Sequence, residues 1–406
     1  MKIAYYCQHV LGIGHFHRSL AICRELAAAH DVTMITGGAP VEIREEQLQE
    51  QIVFFQLPGL MMDAEFNNLA PVMTAANLES KPPETTPATL EAIKRQRAAL
   101  LYTFFQEHNP DVFIIELYPF GRKSFRFELD PVLEAIRDGR LPCCRVFCSL
   151  RDILVERHDK AKFERRVITT LNDFFDGLLI HGDKHCIALD ATFSRLNDIS
   201  IPMAYTGYVA PHAPAASRAD VRHTFGISEA TSLIVASIGG GSVGSELLFG
   251  MAEAMSHINN PDADDPDAPS PHLQIFTGPY INNNDLTRLR GYSDARITVN
   301  RYSTEFLQWL TAADLSVSMA GYNTTMNVLQ SGVPALFFPF FQNQEQYLRL
   351  QALAHNAPLK ILEQQDLQPE ILAGHIRAQL LQKRFSSSVN LNGVAETVRL
   401  IEHWSR

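Results

Sequence analysis

The fold is decided by residues 317–352, which read VSMAGYNTTMNVLQSGVPALFFPFFQNQEQYLRLQA. An apolar strand ends at Gly321, a helix follows, Gly332 ends that helix, and a second apolar strand comes after it. Polar clusters directly follow both strands, at residues 322–325 and 342–346. Parallel strands place their carboxyl ends at one edge of the sheet, which is where open α/β sheets bind ligands. The stretch therefore predicts a βαβ unit with a ligand site at that edge.

The helix inside this stretch begins with residues suited to a phosphate. Asn323 and Thr324 lie in its first turn, where backbone N–H groups lack helical partners and the helix dipole favours negative charge. The order of strand, polar turn, helix, Gly332 and second strand resembles the donor-binding motif of GT-B glycosyltransferases. It is most similar to family 28, which includes the N-acetylglucosaminyltransferase of peptidoglycan synthesis, and to the plant enzymes of family 1.

The resemblance implies which residues hold a nucleotide-sugar donor. Three positions depart from the family pattern: Met319 replaces a phosphate-binding His, Asn327 replaces a ribose-binding Glu, and Asn343 replaces an acidic ligand of the sugar. An Asn side chain hydrogen-bonds a hydroxyl but offers no bidentate carboxylate. The implied donor-binding residues are Gly321, Tyr322, Asn323, Thr324, Thr325, Asn327, Asn343 and Gln344.

Length and composition indicate a globular protein of two ordinary domains. The chain has 406 residues, of which 46% are hydrophobic and 20% charged. Its formal net charge of −10 gives no electrostatic support for nucleic-acid binding. No apolar run reaches the roughly 18 residues of a membrane span, and the N-terminus lacks the apolar core of a signal peptide. The six cysteines show no metal-binding spacing, so we expect buried thiols and a cytoplasmic location.

Strands and helices alternate through both halves of the chain, which predicts parallel sheets of the doubly wound kind. We therefore expect an α/β protein of GT-B architecture, with two Rossmann-like domains facing a central cleft. The expected parts are an N-terminal acceptor-binding domain, a Pro- and Ala-rich linker, a C-terminal domain that binds the nucleotide-sugar donor, and a final helix that, by resemblance, packs back on the first domain. Their boundaries are 1–206, 207–222, 223–390 and 391–406.

A glycine turn follows the first predicted strand, in the sequence GIGHFHRSLAICREL at residues 12–26. Glycines allow a sharp turn at the end of a strand. The resemblance places the acceptor near Gly14 and makes His15 the general base, with His17 as the alternative. A histidine pKa of about 6.5 suits proton removal at neutral pH. Without the resemblance, His15 reads instead as a residue that caps or packs the start of a helix.

Glu116 ends a predicted strand at residues 111–116. Plant members of the family carry at this strand end an Asp that is bonded to the catalytic histidine. The resemblance therefore implies that Glu116 binds His15 and stabilises the imidazolium. The alternative is a strand-end carboxylate in solvent.

A second glycine-rich loop consists of Gly239, Gly240, Gly241 and Ser242. It follows the strand 232–238 and precedes a helix, a context that suits phosphate binding. It resembles the loop that faces the donor diphosphate in the bacterial branch. The alternative is a plain tight turn.

Basic and aromatic residues alternate in RKSFRF at residues 122–127. We expect Arg122 and Arg126 on the acceptor side, gripping an anionic or lipid-linked acceptor, with peripheral membrane contact as a further expectation. The alternative is a solvated edge. Acceptor specificity is expected from the irregular segment 58–88. The Asp-Ala-Asp run at 262–264 mimics a metal-binding motif but lies in a Pro-rich insertion, so no metal site is expected there.

These residues together predict an inverting glycosyltransferase that moves a sugar from a nucleotide sugar, with a UDP-sugar expected first, to an acceptor hydroxyl. No metal and no other cofactor is expected, because backbone N–H groups and a helix dipole can stabilise the leaving diphosphate. Two alternatives stay open: a nucleotide-sugar epimerase of the same fold, and a non-catalytic nucleotide-sugar-binding protein.

Overall fold

A computed structural model describes residues 1–10, 14–39, 41, 51–62, 68–72, 87–154, 159–212, 215–258, 271–341, 344–355 and 357–406. The chain divides into two compact units, Met1–Val209 with Asn392–Arg406, and Ala210–Leu391. Each unit is an α/β body with its own parallel sheet.

The first unit contains a seven-stranded sheet with the strand order β3-β2-β1-β6-β7-β8-β9, all neighbours being parallel. A small antiparallel pair, β4 and β5, lies outside this sheet. The elements are β1 (Lys2–Cys7), α1 (Gly14–Ala27), β2 (Asp31–Thr36), β3 (Ile52–Gln56), β4 (Leu60–Met62), β5 (Leu69–Pro71), α2 (Pro87–His108), β6 (Val112–Glu116), α3 (Arg126–Arg137), β7 (Arg145–Arg151), α4 (Lys160–Phe174), β8 (Gly177–His181) and β9 (Met203–Tyr205).

The second unit contains a six-stranded parallel sheet with the order β12-β11-β10-β13-β14-β15. Its elements are α5 (Arg218–Thr224), β10 (Leu233–Ser237), α6 (Ser245–Ala254), β11 (His272–Phe276), α7 (Asn283–Arg290), β12 (Ile297–Asn300), α8 (Phe306–Ala312), β13 (Leu315–Met319), α9 (Tyr322–Ser331), β14 (Ala335–Phe338), α10 (Gln344–Ala354), β15 (Leu359–Ile361) and α11 (Pro369–Leu380). The last helix of the chain is α12 (Gly393–Trp404). Short 3-10 turns lie at Lys123–Phe125, Leu189–Ala191, Leu196–Asp198, Met255–His257 and Gln364–Leu367.

Both faces of each sheet are covered, as parallel sheets require. Every residue of β6 is buried. Phe113 and Ile115 pack into the cluster that contains side chains of α2, α3 and α4, whereas Ile114 packs into the cluster with α1 and α12. Because apolar residues cover both faces of β6, its polar residue, Glu116, lies at the carboxyl end of the strand.

Helix α12 packs on the first sheet. The Trp404 ring lies 6.0 Å from the Phe147 ring, and a Cβ built on Gly177 would lie 2.7 Å from Trp404. Glu402 Oε1 lies 3.0 Å from His30 Nε2 in the turn between α1 and β2. The last helix therefore contributes to the core of the first unit.

One predicted boundary differs from the structure, and some predicted features lie outside the described residues. Helix α5 begins inside the predicted linker 207–222, because Ser217 and Asp220 form a reciprocal capping box that starts a helix among small residues. Asn343, the Asp-Ala-Asp run and most of the segment 58–88 lie outside the described residues. No helix in the described ranges combines the length and the apolar character needed to cross a membrane.

Candidate active site

The first sheet has its topological switch between β1 and β6. The strand order reverses there, and the two strands pair in parallel as far as Tyr6↔Ile115. Ligands of doubly wound sheets bind beyond the carboxyl ends of the strands at such a switch. Glu116 ends β6 at this edge, and α1, which follows β1, begins at Gly14. The topology thus brings a strand-end carboxylate to the first turn of a helix.

His15 and Glu116 are in direct contact at this switch. His15 Nδ1 lies 2.6 Å from Glu116 Oε1, and the side chains are 20% and 0% exposed. Since an ionised carboxylate only accepts hydrogen bonds, Nδ1 carries the hydrogen and Nε2 carries the lone pair. A partly exposed histidine that is held in this tautomer by a buried carboxylate has the geometry of a general base and its orienting partner.

Two arginines share the carboxylate with His15. Arg18 Nη2 donates to Glu116 Oε1 at 2.6 Å, and Arg122 Nη2 lies 3.8 Å from Oε2. Burial alone would raise the pKa of Glu116, but His15, Arg18 and Arg122 outweigh it and hold that pKa well below its ordinary value. Sequence reasoning missed Arg18, although its position three residues after His15 puts both on one face of α1.

The imidazole of His15 is neutral at neutral pH. Burial lowers the pKa of His15 to about 4, since the raising effect of Glu116 is opposed by Arg122 and Arg18. The Nε2 lone pair is therefore available as a proton acceptor well below pH 7. An isolated histidine, with a pKa of about 6.5, would already be half protonated in mildly acidic solution.

The turn that follows Glu116 is strained. Leu117 and Arg122 have φ values of 66° and 57°, and a left-handed backbone costs a non-glycine residue about 1–2 kcal/mol. The Arg122 side chain is only 8% exposed. Burial lowers the pKa of Arg122, Glu116 offsets part of this effect, and the nearby charge of Arg151 adds to it. Strain of this kind collects at functional sites.

The remaining residues of the predicted glycine turn lie around this cluster. Gly14 is the exposed first residue of α1. His17 packs edge-on against the Phe16 ring, with centroids 5.8 Å apart, and burial lowers its pKa. His9, which sequence reasoning did not consider, is buried with Nε2 2.7 Å from the carbonyl oxygen of Ala39. The carboxylate of Glu116 is therefore joined to His15 and not to either neighbouring histidine.

A buried polar chain lies in the same sheet. Tyr5 Oη is 2.9 Å from Ser149 Oγ, Ser149 Oγ is 2.7 Å from His181 Nε2, and His181 Nδ1 is 3.0 Å from Thr206 Oγ1. Burial lowers the pKa of His181 to about 3, with Arg18 acting in the same direction. The position of His181 at the end of β8 was the sequence signal for this chain, and it was missed.

Arg126 lies away from the carboxylate cluster. It donates to Asp130 at 2.8 Å and lines a cavity of about 510 Å³ within the first unit. The lining is mixed, with four cations, one acid and two phenylalanines: Phe120, Gly121, Lys123, Arg126, Asp159, Lys162, Phe163 and Arg166. Of the two arginines predicted on the acceptor side, Arg122 therefore belongs to the His15 cluster and Arg126 to this cavity.

The second sheet has its own switch between β10 and β13, and the glycine-rich loop lies there. Gly239 and Gly241 have φ values of 64° and 91°, and Gly278 in the turn after β11 has 81°. Tyr280 N donates to Gly240 O at 2.9 Å, and a Cβ on Gly278 would lie 2.3 Å from Gly239 O. The two turns pack backbone to backbone, so glycine is required at their contact. Ser242 is exposed at the tip of the loop.

Helix α9 begins at the adjacent strand end with its positive terminus uncapped by a side chain. Gly321 is the N-cap residue without a side-chain cap, and the first turn contains no acid. The chain at 320–325 reads AGYNTT and contains no acidic residue. Thr324 and Thr325 are buried, and Thr325 Oγ1 makes no hydrogen bond within the described residues. This terminus has the features of a phosphate site.

Other predicted donor residues are placed around this terminus. Asn327 is half-buried and lies one helical turn after Asn323 on the same face of α9. Gln344 is the exposed first residue of α10. Sequence reasoning missed the neighbouring buried pair, in which Arg349 donates to Glu345 at 2.7 Å while its guanidinium lies 5.2 Å from the Tyr322 ring. This pair connects α10 to the start of α9.

Within the described ranges, no group of three or more His, Cys, Asp or Glu side chains has the arrangement of a metal site. All six cysteines are free, and four of them are buried.

Comparison with known families and curated proteins gives one consistent relationship. The model of the glycosyltransferase family 28 C-terminal domain matches residues 235–401. The UDP-N-acetylglucosamine–N-acetylmuramyl-(pentapeptide) pyrophosphoryl-undecaprenol N-acetylglucosamine transferase of Haemophilus influenzae is 27% identical over 94 residues, 23% of this chain and 27% of the relative. The enzyme of the same name from Glaesserella parasuis is 35% identical over 80 residues, 18% of this chain and 23% of the relative. The chain thus spans about a quarter of the length of these relatives.

Solved structures match over nearly the whole chain. The glycotransferase of kitacinnamycin has a TM-score of 0.59 at 16% identity, covering 100% of this chain and 99% of its own. MurG of Acinetobacter baumannii has a TM-score of 0.57 at 15% identity, covering 99% and 100%. The spinosyn rhamnosyltransferase SpnG, complexed with thymidine diphosphate, has a TM-score of 0.53 at 13% identity, covering 100% and 96%. These likenesses establish the fold.

The predicted fold class and the predicted relationship are thereby confirmed. The described residues form two α/β units with parallel sheets, the similar structures are GT-B proteins, and the family match covers most of the second unit. The chain is a GT-B-fold protein related to glycosyltransferase family 28.

Proposed function

We propose that the protein is an inverting glycosyltransferase that transfers a sugar from a nucleotide sugar to an acceptor hydroxyl. The observation that carries the proposal is the 2.6 Å contact between His15 Nδ1 and the buried Glu116 carboxylate, which leaves Nε2 as the proton acceptor. The resemblance of residues 12–26 implies that this histidine activates the acceptor. The match of residues 235–401 to the family 28 C-terminal domain supports a transferase reaction.

The proposed reaction is a single displacement. His15 Nε2 takes the proton of the acceptor hydroxyl while that oxygen forms a bond to the anomeric carbon. The bond between that carbon and the diphosphate oxygen breaks, and the electron pair leaves with the nucleoside diphosphate. Attack from the side opposite the leaving group inverts the anomeric configuration. Glu116 and Arg18 keep the ring in place, and Glu116 stabilises the imidazolium that forms.

The donor is proposed to bind the second unit. The diphosphate occupies the N-terminus of α9 at Gly321–Thr324 and the glycine loop 239–242, with Thr325 supporting the first turn. Backbone N–H groups and the helix dipole stabilise the charge of the leaving group, so no metal ion is required. Tyr322, Asn327, Asn343 and Gln344 are proposed to contact the nucleoside and the sugar. A UDP-sugar is the first candidate, and a TDP-sugar is the second because SpnG binds thymidine diphosphate.

The test has a binding arm and a turnover arm. UDP and TDP are first titrated against the full chain by calorimetry, and the corresponding nucleotide sugars are then incubated with a panel of hydroxyl acceptors. Release of nucleoside diphosphate that depends on the acceptor supports a transferase. Interconversion of the nucleotide sugar without an acceptor would identify an epimerase, and tight nucleotide binding without either reaction would identify a binding protein.

A further inference from the structure

Arg122 is the least satisfied charged side chain of the His15 cluster. It is 8% exposed, yet within the described residues its guanidinium donates no hydrogen bond, and Nε is fully enclosed without a partner. The nearest carboxylate oxygen, Glu116 Oε2, is 3.8 Å away, which is beyond hydrogen-bond distance. A guanidinium has five N–H donors in a fixed fork, and burying them without acceptors is unfavourable.

The carboxylate nearest to Arg122 is shared with other groups. Oε1 of Glu116 already accepts from both His15 and Arg18. The charge of Arg151 acts on Arg122 in the direction opposite to that of Glu116. Arg122 therefore has room for a further anionic partner.

The backbone shows that this placement is imposed. Arg122 has a left-handed φ of 57° at the end of the turn that begins with Leu117, whose φ is 66°. Glycine takes such conformations without strain, yet the chain has an arginine there. The strained backbone and the guanidinium without acceptors are both locally unfavourable. Such features are expected at functional sites, and a bound anion would supply the missing hydrogen bonds.

We propose that Arg122 binds an oxyanion carried by the acceptor, a carboxylate or a phosphate, next to the hydroxyl that His15 activates. The planar fork of the guanidinium matches two oxygens of either group, and the bound anion supplies the hydrogen-bond acceptors that Arg122 lacks within the described residues. The acceptor class is thus a hydroxylated acid. The statement that the anion belongs to the acceptor rests on the proposed function, whereas the anion site itself does not.

The test uses thermal unfolding of the full chain at constant ionic strength, with chloride replaced stepwise by acetate in one arm and by inorganic phosphate in the other. A ligand that binds only the native state raises the melting temperature with its concentration. Phosphate bound at the N-terminus of α9 would stabilise every variant alike, so the readout is the difference in gain between the wild type and Arg122→Gln. The wild type is expected to gain more than Arg122→Gln from at least one anion, and the anion with the larger difference identifies carboxylate or phosphate. Arg137→Gln, which changes an exposed arginine on α3, should gain as much as the wild type.

The melting temperature of the anion-free protein is a second readout, because a purely structural role for Arg122 predicts a change of opposite sign. Without anion, Arg122→Gln should melt at the same or a higher temperature than the wild type, because an unsatisfied buried charge is removed. Arg122→Lys keeps the charge without the fork and should recover only part of the anion effect. The proposal would be overturned if the anions stabilise Arg122→Gln as much as the wild type. It would also be overturned if the anion-free variant melts at a lower temperature than the wild type.

A turnover arm links the site to the acceptor. Hydroxy acids are compared with their methyl esters, and Arg122→Gln should raise KM for the acids at least tenfold more than KM for the esters. Equal loss on acids and esters would overturn the acceptor role. Absence of transfer together with an Arg122-dependent anion effect would instead reject the proposed reaction and keep the site.

Discussion

The two units place different chemistry at the same edge of similar sheets. In the first unit, Glu116 at the end of β6 lies among ionisable side chains from the following segments, namely His15, Arg18 and Arg122. In the second unit the corresponding loops, IGGGSVG at 238–244 and AGYNTT at 320–325, contain no charged residue. Side chains with shifted pKa values are suited to moving a proton, whereas glycine turns and helix amides are suited to holding an anion. The comparison shows that two similar sheet edges differ in what their loops carry, and that the first is chemically suited to proton transfer and the second to phosphate binding.

The largest expected effect comes from removing the base. His15→Ala should lower turnover by about 100-fold or more, because loss of a general base typically costs that much, while nucleotide affinity stays nearly the same. The measurements are kcat with a saturating acceptor and Kd for the nucleoside diphosphate. His17→Ala is the matched control and should keep most activity. Full activity in His15→Ala with loss in His17→Ala would move the base by two residues.

Two glycines of the second unit differ in what surrounds them, so substituting each should affect either nucleotide binding or stability. A Cβ on Gly321 would meet no atom within 4 Å, whereas on Gly278 it would lie 2.3 Å from Gly239 O. Gly321→Ala should fold normally yet weaken nucleotide binding by about tenfold or more, since the methyl group occupies the space in front of the helix amides. Gly278→Ala should lower the melting temperature itself. Unchanged nucleotide affinity in a well-folded Gly321→Ala protein would remove the phosphate from this helix.

The polar side chains of the same turn should contribute less than its backbone. Asn323→Ala combined with Thr324→Val removes an amide and a hydroxyl from the first turn of α9 but leaves its N–H groups in place. Nucleotide affinity should fall by roughly tenfold, on the scale of one to two hydrogen bonds, with the melting temperature of the unliganded protein little changed. Calorimetric titration gives the affinity, and a folded double variant with wild-type affinity would argue against contacts from these side chains.

The smallest effect is expected at Asn327. A carboxylate binds two ribose hydroxyls more strongly than an amide does, by on the order of 1 kcal/mol. Asn327→Glu should therefore improve the preference for ribonucleotides over deoxyribonucleotides by a factor of several. Competition between UDP and its deoxyribose analogue measures this preference. An unchanged ratio would place ribose recognition on another residue.

The two sheet edges also differ in how much of each could be predicted from the sequence. The strand–glycine–helix transition at Gly241 was predictable because its φ of 91° favours glycine. Gly321, whose φ of −60° suits any residue, was identified from the polar cluster that follows it and from the resemblance. His15 and Glu116 were found only through resemblance, since two residues about 100 positions apart meet through strand pairing. The roles of Arg18 and Arg122 depend on burial and on distances of a few ångströms, which periodicity does not give.

The polar cluster after β14 shows the same limit. Asn343 and Gln344 of this cluster were predicted to bind the donor. Gln344 is exposed, whereas the adjacent Glu345 is buried and bonded to Arg349. The four-residue spacing of Glu345 and Arg349 on α10 is a readable signal of a helical ion pair. What the sequence does not give is which of these polar residues faces the core.

The most direct test of the central claim, that the first unit holds a neutral His15 ready to accept a proton, is an NMR titration of its ring nitrogens in the full chain. His15→Gln identifies the resonances by their loss. The account predicts a neutral ring with the hydrogen on Nδ1 from neutral pH down to about pH 4, because burial and the two arginines lower the pKa of His15. A ring that titrates at about pH 6.5, as an ordinary histidine does, or that carries its hydrogen on Nε2, would contradict it.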